Sequence, residues 1–236
     1  MNLTQYKALF TVSAFVLAFF VASPALKQVL VYPRTEFFTE LSLLGPMYNA
    51  ENYPYNITYG KNYSVFLGVA NQLGSCAYYQ VEVKFRNETQ SAPNSFTPRT
   101  PSSLPSLYNS AVFVADQESL EIPVVFSFNY SFQSVLRTVY TNVTVPGGPG
   151  QNATVEQRAD NINLLQANFD SMKFNGETLN LQGYSSDWDS QTHMFYGNLV
   201  FELWIYNSTI GSFQYNERFV DLKLNMTSTG LGGTFV

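Results

Sequence analysis

The sharpest chemical feature of the sequence is an acidic tripeptide in its C-terminal half, Asp187-Trp188-Asp189. Two carboxylates beside an aromatic ring could bind a calcium ion or a sugar ring, and paired carboxylates hydrolyse glycosides when their separation is suitable. The Asp-X-Asp-X-Asp-Gly pattern of a calcium loop is absent. The simplest interpretation is an exposed turn with a half-buried tryptophan. The alternative is an interaction site made of Asp187, Trp188 and Asp189, with a carbohydrate as ligand.

The sequence contains few residues suited to nucleophilic catalysis or to metal binding. The sequence has one histidine, His193, and one cysteine, Cys76, and it lacks the Gly-X-Ser-X-Gly pattern of a nucleophile elbow. A zinc or copper site needs more His and Cys ligands than these two. We therefore predict a non-catalytic protein without metal or cofactor, in which His193 is structural or at the surface. A single cysteine also excludes an intrachain disulfide, and we expect Cys76 to be a buried free thiol.

Asn-X-Ser/Thr sequons are far more frequent than chance, which would give roughly three or four. Eight sequons follow the apolar N-terminal segment, and a ninth, at Asn2, precedes it. The excess predicts a surface that carries N-linked glycans outside the cytoplasm; accidental sequons in a chain rich in Asn and Thr are the alternative. The eight predicted glycosylation sites are Asn56, Asn62, Asn87, Asn129, Asn142, Asn152, Asn207 and Asn225.

The N-terminal segment, residues 1–33, predicts a transmembrane anchor. The residues from Ala8 to Leu26 are apolar or small, and nineteen helical residues span roughly 28 Å, about one hydrocarbon core. The sequons place the C-terminal part outside, so we expect a single-pass protein of the cell membrane with an extracellular domain. Two alternatives remain: a signal peptide cleaved near Ser23-Pro24-Ala25, and a pilin-type signal cut between Lys7 and Ala8.

The composition excludes some partners. Charged residues make up 12% of the 236 residues and the formal net charge is −5. Because no basic stripe is present, we expect no nucleic acid as partner. About 200 residues follow the anchor, enough for one large or two small domains.

The region 34–227 predicts an extracellular antiparallel β-sandwich. Apolar and polar residues alternate along several segments, which is typical of a sheet that is buried on one face. Such segments without strong helices between them favour an antiparallel sandwich. The clearest inward sets are Val65, Leu67 and Val69; Tyr79, Val81, Val83 and Phe85; Ile122, Val124, Phe126 and Phe128; Leu199, Phe201, Leu203 and Ile205; and Val220, Leu222, Leu224 and Met226.

Several breaks interrupt this pattern. The run at residues 146–151 holds Pro and Gly and marks an insertion or a domain break. The spacing of Ile162, Leu165, Phe169 and Met172 predicts a short helix. After it, Asn175-Gly176 predicts a hairpin closed by a type I′ turn. The last nine residues, 228–236, form either a flexible tail or an extended peptide that docks on a partner's sheet edge.

One stretch resembles a known family. It runs Phe37-Phe38-Thr39-Glu40-Leu41-Ser42-Leu43-Leu44-Gly45-Pro46, continues through Ala50 to Thr58, and is followed by the segments from Val65 to Asn71 and from Tyr79 to Phe85. This resembles the outer domain of an archaeal membrane-protein family catalogued as domain of unknown function 1616. The weaker matches, from Glu118 to Phe128 and from Met194 to Asn225, also resemble the immunoglobulin-like modules of bacterial and archaeal surface proteins. The resemblance implies an archaeal source, a membrane anchor and an exterior β domain, and brings no catalytic residues. Family members tend to carry several N-terminal membrane helices, whereas this chain has room for one.

Together these patterns predict a non-catalytic, glycosylated surface protein that acts as an interaction module or as an accessory subunit of a larger membrane assembly. Other membrane or cell-surface proteins are the expected partners. A pilin-like filament subunit or S-layer component is the first alternative, and a carbohydrate-binding surface protein is the second. Aromatic residues are enriched at interfaces, and the candidates here are Tyr53, Tyr55, Phe66, Tyr78 and Trp204.

Overall fold

The computed structural model describes residues 3–29, 37–96, 99–146 and 152–227. The first element is a helix of 27 residues, α1 (Leu3–Val29), which continues past Pro24. None of the helical structure in the described residues has both the length and the apolar character required to span a bilayer. The chain divides into two compact units, residues 1–38 and 39–236.

The second unit is built of β-strands, as the alternating patterns predict. Eleven strands lie within the described residues. They are β1 (Phe38–Leu44), β2 (Asn56–Thr58), β3 (Tyr63–Gln72), β4 (Ala77–Arg86), β5 (Tyr108–Val114), β6 (Ser119–Pro146), β7 (Asn152–Phe174), β8 (Glu177–Asn180), β9 (Ser185–Asp189), β10 (Met194–Asn207) and β11 (Ser212–Thr227).

These strands belong to one curled sheet in the form of a half-barrel. Its main path runs β1-β3-β6-β7-β9-β10-β11-β2, and β4 extends from β10 to carry β5. The short strand β9 pairs with both β7 and β10 and so joins the two halves of the sheet. Most neighbouring strands pair in the antiparallel sense, whereas β2 and β11 are parallel. The predicted mostly-β class, with mainly antiparallel strand pairing, is confirmed.

The core lies inside the curl, where the two halves of the sheet meet. Phe85 on β4 has its ring centroid 5.3 Å from Phe128 on β6 and 4.8 Å from Phe169 on β7. These strands are not neighbours in the sheet, so the contacts hold its halves together. Each fully buried Phe stabilises the fold by about 1.5–3 kcal/mol. The inward sets predicted from the alternation are buried, apart from Ile122, Ile205 and Val220, which are half-buried against the core.

The region after residue 151 differs from one prediction and agrees with another. The short helix predicted from Ile162 to Met172 is wrong, because β7 runs through this segment and pairs with β6. The predicted hairpin is confirmed: β7 and β8 pair from Phe174↔Glu177 onward. Asn175 and Gly176 have φ values of 48° and 90°, as a type I′ turn requires.

Of the Pro- and Gly-rich break predicted at residues 146–151, Pro146 ends β6, and residues 147–151 lie outside the described residues, as does the tail, 228–236. On either side of the break, β6 and β7 pair with one another, and their register ends at Pro146↔Asn152.

The open side of the half-barrel is bridged by side chains. Arg218 on β11 donates from Nε to the Thr39 carbonyl oxygen on β1, at 3.1 Å. The Tyr53 hydroxyl donates to the Leu43 carbonyl oxygen, at 2.6 Å. Strand β1 therefore has two of its outward carbonyl groups satisfied, although its second edge has no strand partner in the described part of the chain.

Candidate functional site

The acidic tripeptide lies at the end of β9, just before the turn into β10. Both of its carboxylates accept hydrogen bonds from neighbouring residues. Asp187 Oδ1 accepts a hydrogen bond of 2.8 Å from Gln166 Nε2. Asp189 accepts from the backbone nitrogen of Gln191, at 2.8 Å, and from the hydroxyl of Thr192. The hydrogen bond from Thr192 is the main reason that the pKa of Asp189 is lowered. Asp189 thus stays ionised and holds the turn that leads into β10.

Trp188 is half-buried and packs against the core. Its ring centroid lies 4.9 Å from that of Phe195 and 5.9 Å from that of His193. His193 itself is exposed, has φ of 57°, and donates its backbone N–H to the Asp189 carbonyl oxygen at 2.8 Å. Both residues therefore have a structural role in this turn: Trp188 through its ring contacts and His193 through its backbone hydrogen bond.

A polar cleft of about 240 Å³ opens beside this turn, on the face of β4, β10 and β11 that points away from the core. The strand register places Asn198 between Arg86 and Lys223. With the Asn198 amide oriented so that its nitrogen donates to the Gly197 carbonyl oxygen at 3.0 Å, its oxygen accepts from Arg86 Nε at 3.2 Å and Nη2 at 2.9 Å. The cleft is lined by Arg86, Glu88, Asp189, Thr192, Tyr196, Asn198 and Lys223. It combines two cations, two carboxylates and a tyrosine, which suits a polar ligand with several hydroxyl groups.

A second groove, of about 590 Å³, meets the first at Lys223. It lies along the outer edge of β11 and is bounded on the other side by Tyr53, Pro54 and Tyr55. Tyr55 is 40% exposed, and the partial burial of its hydroxyl is the main cause that raises the pKa of that group. The groove is more apolar than the cleft, and the two share the same face of the sheet at Lys223.

A buried ion cluster lies on the same face of the sheet. Lys84 Nζ is 2.8 Å from Glu202 Oε2 and 3.5 Å from Glu82 Oε2. Lys84 also donates to the Ser102 carbonyl oxygen, while Glu202 Oε1 accepts from the Ser102 backbone nitrogen at 2.6 Å. This cluster fixes the segment around Ser102 onto β4 and β10. The alternation along β4 places Glu82 and Lys84 on the face opposite the inward set, where solvent exposure is expected, yet Lys84 is buried.

Beyond the cluster, four aromatic rings from four strands form a continuous surface that we call the aromatic strip. Tyr78 stacks on Phe113 with centroids 4.2 Å apart and an interplanar angle of 14°. Tyr78 also lies 5.2 Å from Phe213, which is 5.4 Å from Tyr206. The outermost member, Phe113, is 71% exposed. The sequence singled out Tyr78 as a contact residue but gave no sign of the other three.

The remaining predicted contact aromatics have partners of their own. Phe66 stacks on Tyr48 with centroids 3.9 Å apart. Trp204 meets Tyr215 edge to face, at 5.6 Å. Within the described residues, Trp204 Nε1 and the Tyr215 hydroxyl are buried without a hydrogen-bond partner. Burial raises the pKa of Tyr215 to about 12, with the Glu202 charge as the next cause.

The sequon asparagines differ in their exposure and in the hydrogen bonds that their side chains make. Asn56 and Asn62 are exposed. Asn87 donates to the Ser185 carbonyl oxygen, Asn129 to Ser171 Oγ and Asn207 to Gln214 Oε1. Asn225 donates to Asn56 Oδ1 at 2.9 Å, so two predicted sites contact each other. The side chains of Asn142 and Asn152 lie outside the described part of the structure.

The prediction for Cys76 is wrong. The thiol is free but exposed, in the turn between β3 and β4 rather than within a strand. The burial pattern of β4 begins one residue later, at Ala77. Among the described residues, no three His, Cys, Asp or Glu side chains are grouped so that they could hold a metal ion.

The chain matches a known protein family over more than half of its length. Residues 33–156, just over half of the chain, match the family described as "Domain of unknown function (DUF1616)". None of the curated proteins compared with the sequence matches it.

Among solved structures, one similar chain is a β-glucosidase from Listeria innocua in complex with glucose. It is 9% identical with a TM-score of 0.33, and the alignment covers 87% of this chain and 17% of the enzyme. This chain therefore spans about a sixth of that protein's length. A likeness this weak carries no argument about fold or activity.

Proposed function

Because the chain belongs to the family described as Domain of unknown function (DUF1616), a description that assigns no activity, we propose its function from the chemistry of its surfaces. The proposal is a non-catalytic, glycosylated, single-span cell-surface protein. Its extracellular domain, an antiparallel immunoglobulin-like β-sandwich, serves as an interaction module or accessory subunit of a larger membrane assembly.

The observation that carries the proposal is the exposure of α1. Its large apolar side chains between Leu9 and Val21 are 51–77% exposed, and they lie on every side of the helix. A helix that is apolar all round needs an apolar environment, either a bilayer or the core of a large assembly. The exposed apolar stretch from Leu9 to Val21 covers about 20 Å of helix, less than a hydrocarbon core, in keeping with the absence of a spanning helix among the described residues. The proposed anchor therefore comprises the whole segment 1–33, with residues 34–227 on the outer side.

The sequons support the orientation. Glycosylation requires an Asn on an accessible surface, and Asn56 and Asn62 meet this requirement. Asn62 immediately precedes β3, so a glycan there leaves the sheet ladder intact.

The surfaces available to a partner are the aromatic strip and the groove along β11. Both lie on the face of the sheet that points away from the core. Both contain aromatic rings, which are enriched in the centres of protein interfaces. The buried ion cluster lies on the same face and gives it a rigid support.

The deciding experiment is gentle detergent extraction of the full chain from native membranes, followed by mass spectrometry of the proteins that co-purify. We expect the chain to stay in the membrane fraction after carbonate washing and to co-purify with membrane subunits in fixed ratio. A chain released by carbonate contradicts the anchor. An anchored chain that purifies without any partner contradicts the accessory role.

The exposed apolar helix also fits a pilin-like filament or S-layer subunit, in which such helices pack together. Sequencing the N-terminus of the native protein separates the two proposals. A chain that begins at Met1 excludes cleavage at Lys7-Ala8, and a chain that begins at Ala8 supports the filament.

The polar cleft favours a carbohydrate-binding function as a further alternative. Asn198, Arg86 and Lys223 present hydrogen-bonding groups beside the Tyr196 ring. Substitution Asn198→Ala should then abolish binding to oligosaccharides on a glycan array, whereas Asn109→Ala on the opposite border of the sheet should not. Wild-type protein that retains no glycan on the array contradicts this function.

A further inference from the structure

The edge strands of the sheet differ in how they are protected against pairing with another strand. An unprotected edge offers a row of backbone N–H and C=O groups to any extended chain, and soluble proteins block such edges with charges, proline, bulges or short strands. Strands β2 and β8, with three and four residues, are too short to offer much. On β1, Arg218 and Tyr53 satisfy two carbonyl groups.

Strand β11 is protected by both a bulge and charges. Its register with β10 shifts between Leu203 and Trp204, and Glu217 in this irregularity has φ of 55°. Asp221 and Lys223 follow as exposed charged residues. A second strand cannot run along β11 without meeting these features.

Strand β5 has no charge, proline or bulge. Side chains satisfy two of its carbonyl groups, those at its ends: Ser106 Oγ donates to the Tyr108 carbonyl oxygen at 3.2 Å, and Asn71 Nδ2 donates to that of Val114 at 2.9 Å. Its sequence, Tyr-Asn-Ser-Ala-Val-Phe-Val, contains no charged residue and no proline. It pairs with β4 in unbroken register from Val83↔Tyr108 to Ala77↔Val114. It pairs with no other strand in the described part of the chain, so its second edge is unpaired over seven residues.

We propose that β5 is a dimerisation strand, and that its occupant is β5 of a second copy of this chain. Antiparallel pairing about a two-fold axis at Ala111, the central residue, brings all seven residues of each strand into register. Homodimers with this symmetry are the commonest oligomers, because one surface serves both subunits.

The side chains of β5 are self-complementary in this arrangement. The exposed face carries Asn109, Ala111 and Phe113. Pairing about Ala111 places each Phe113 opposite Asn109 of the second copy, so no like charges meet. The small side chain of Ala111 leaves room for the ring of Phe113 to lean across the axis. Each aromatic strip then continues up to the dimer axis, and Phe113, the most exposed ring of the strip, becomes covered.

A cysteine series tests this geometry in the full-length protein in detergent. In a Cys76→Ser background, which removes the one exposed thiol, single substitutions are Asn109→Cys, Ala111→Cys and Phe113→Cys. Directly opposed residues in an antiparallel pair have Cα atoms about 4.5–5.5 Å apart, which a disulfide can bridge. Residues two positions from the axis on each strand are about 14 Å from their own copy.

Under mild oxidation we expect Ala111→Cys to form a covalent dimer, with Asn109→Cys and Phe113→Cys at least about tenfold less cross-linked when each is alone. An equal mixture of Asn109→Cys and Phe113→Cys should cross-link as heterodimers. Cross-linking that is equal at the three positions, or absent from all of them, overturns the proposal.

Light scattering gives the second readout. The wild-type chain should have the mass of two copies. Ala111→Lys places two ammonium groups opposite each other and should give single copies, while the matched control Gln214→Lys, an exposed strand position on β11, should stay dimeric. A dimer that persists in Ala111→Lys assigns association to another surface, such as α1, and overturns the proposal. So does a wild-type chain that is monomeric or that pairs through β5 with a different protein.

Discussion

Lys84 and Glu202 form an ion pair of 2.8 Å between neighbouring strands, and their side chains are only 4% and 0% exposed. Taking such a pair out of water is costly, but removing one member is worse, because the other is left as an uncompensated buried charge. We expect Lys84→Met to lower the free energy of unfolding by about 3–5 kcal/mol. Urea unfolding followed by tryptophan fluorescence measures this loss.

The matched control for this substitution is Lys223→Met, which removes an exposed lysine from β11 on the same face of the sheet. An exposed lysine without a close partner should change stability by less than about 0.5 kcal/mol. The double variant Lys84→Met/Glu202→Leu should recover much of the loss, since it removes both charges. Equal effects of Lys84→Met and Lys223→Met would show that the pair does not hold the segment around Ser102.

Gly45, within the segment that resembles the family, is required by a close backbone approach. A Cβ atom at this position would lie 2.0 Å from the backbone oxygen of Glu51. Because the obstacle is backbone, the turn itself must move. We expect Gly45→Ala to destabilise the domain by at least about 1–3 kcal/mol and to weaken the nearby bond from Tyr53 to Leu43. Ala50→Ser, an exposed change in the same loop, is the control, and equal melting temperatures for the two variants would contradict this reading.

Alternation predicts the strands well where each strand keeps one register, and it fails at a bulge. The register of β6 with β7 shifts between Asn129 and Tyr130, so Asp170 on β7 has no direct partner. Inward residues therefore change parity at that point, from Leu165, Ala167 and Phe169 to Met172 and Phe174. The bulge makes the interval from Phe169 to Met172 three residues. Together with the four residues from Leu165 to Phe169, this interval imitates helical spacing, which explains the wrong prediction for this segment.

The candidate site was less predictable, since it depends on pairing between distant strands. Glu82 and Lys84 alternate with apolar residues and so appear solvent-facing in the sequence. Nothing in the sequence shows that Glu202 becomes their partner, nor that Ser102 covers them. The aromatic strip likewise arises only when β4, β5, β10 and β11 are placed side by side. Local pattern gives the faces of strands, whereas long-range register decides which residues meet.

Burial of Tyr130 predicts a pH dependence of stability. Burial is the main cause that raises the pKa of Tyr130 to about 12, and its hydroxyl donates to carbonyl oxygens of Ile57 and Thr227, at 2.7 and 2.8 Å. In the unfolded chain the same hydroxyl ionises near pH 10. The unfolded state therefore loses this proton first, so the contribution is fully present below pH 10 and is lost as the pH rises to about 12.

The test compares unfolding midpoints of the wild type and Tyr130→Phe between pH 8 and 11.5. At pH 8 the variant should be less stable by about 0.5–1.5 kcal/mol, and its stability should fall less steeply above pH 10. Tyr215, whose pKa is also raised to about 12, accounts for part of the remaining fall. Tyr48→Phe, an exposed tyrosine, should follow the wild-type curve. Parallel curves for the wild type and Tyr130→Phe would rule out Tyr130 as a source of the decline.

The contact between Asn56 and Asn225 predicts that these two sequons exclude each other. Asn225 Nδ2 donates to Asn56 Oδ1 at 2.9 Å, and Asn225 Oδ1 accepts from the backbone nitrogen of Phe195 at 3.1 Å. Asn225 is therefore held by bonds at both ends of its amide, whereas Asn56 is exposed. A glycan on Asn56 leaves both bonds in place, because it uses Asn56 Nδ2 and not Oδ1. A glycan on Asn225 would have to share its attachment nitrogen with that contact, and two glycans would start within a few ångströms of each other.

In a glycosylating host we expect Asn56→Gln to lower the intact mass by one glycan and Asn225→Gln to leave it unchanged, with Asn62→Gln as the positive control. Glycopeptide analysis that finds both asparagines occupied on the same molecules would contradict the exclusion and would require β2 to separate from β11.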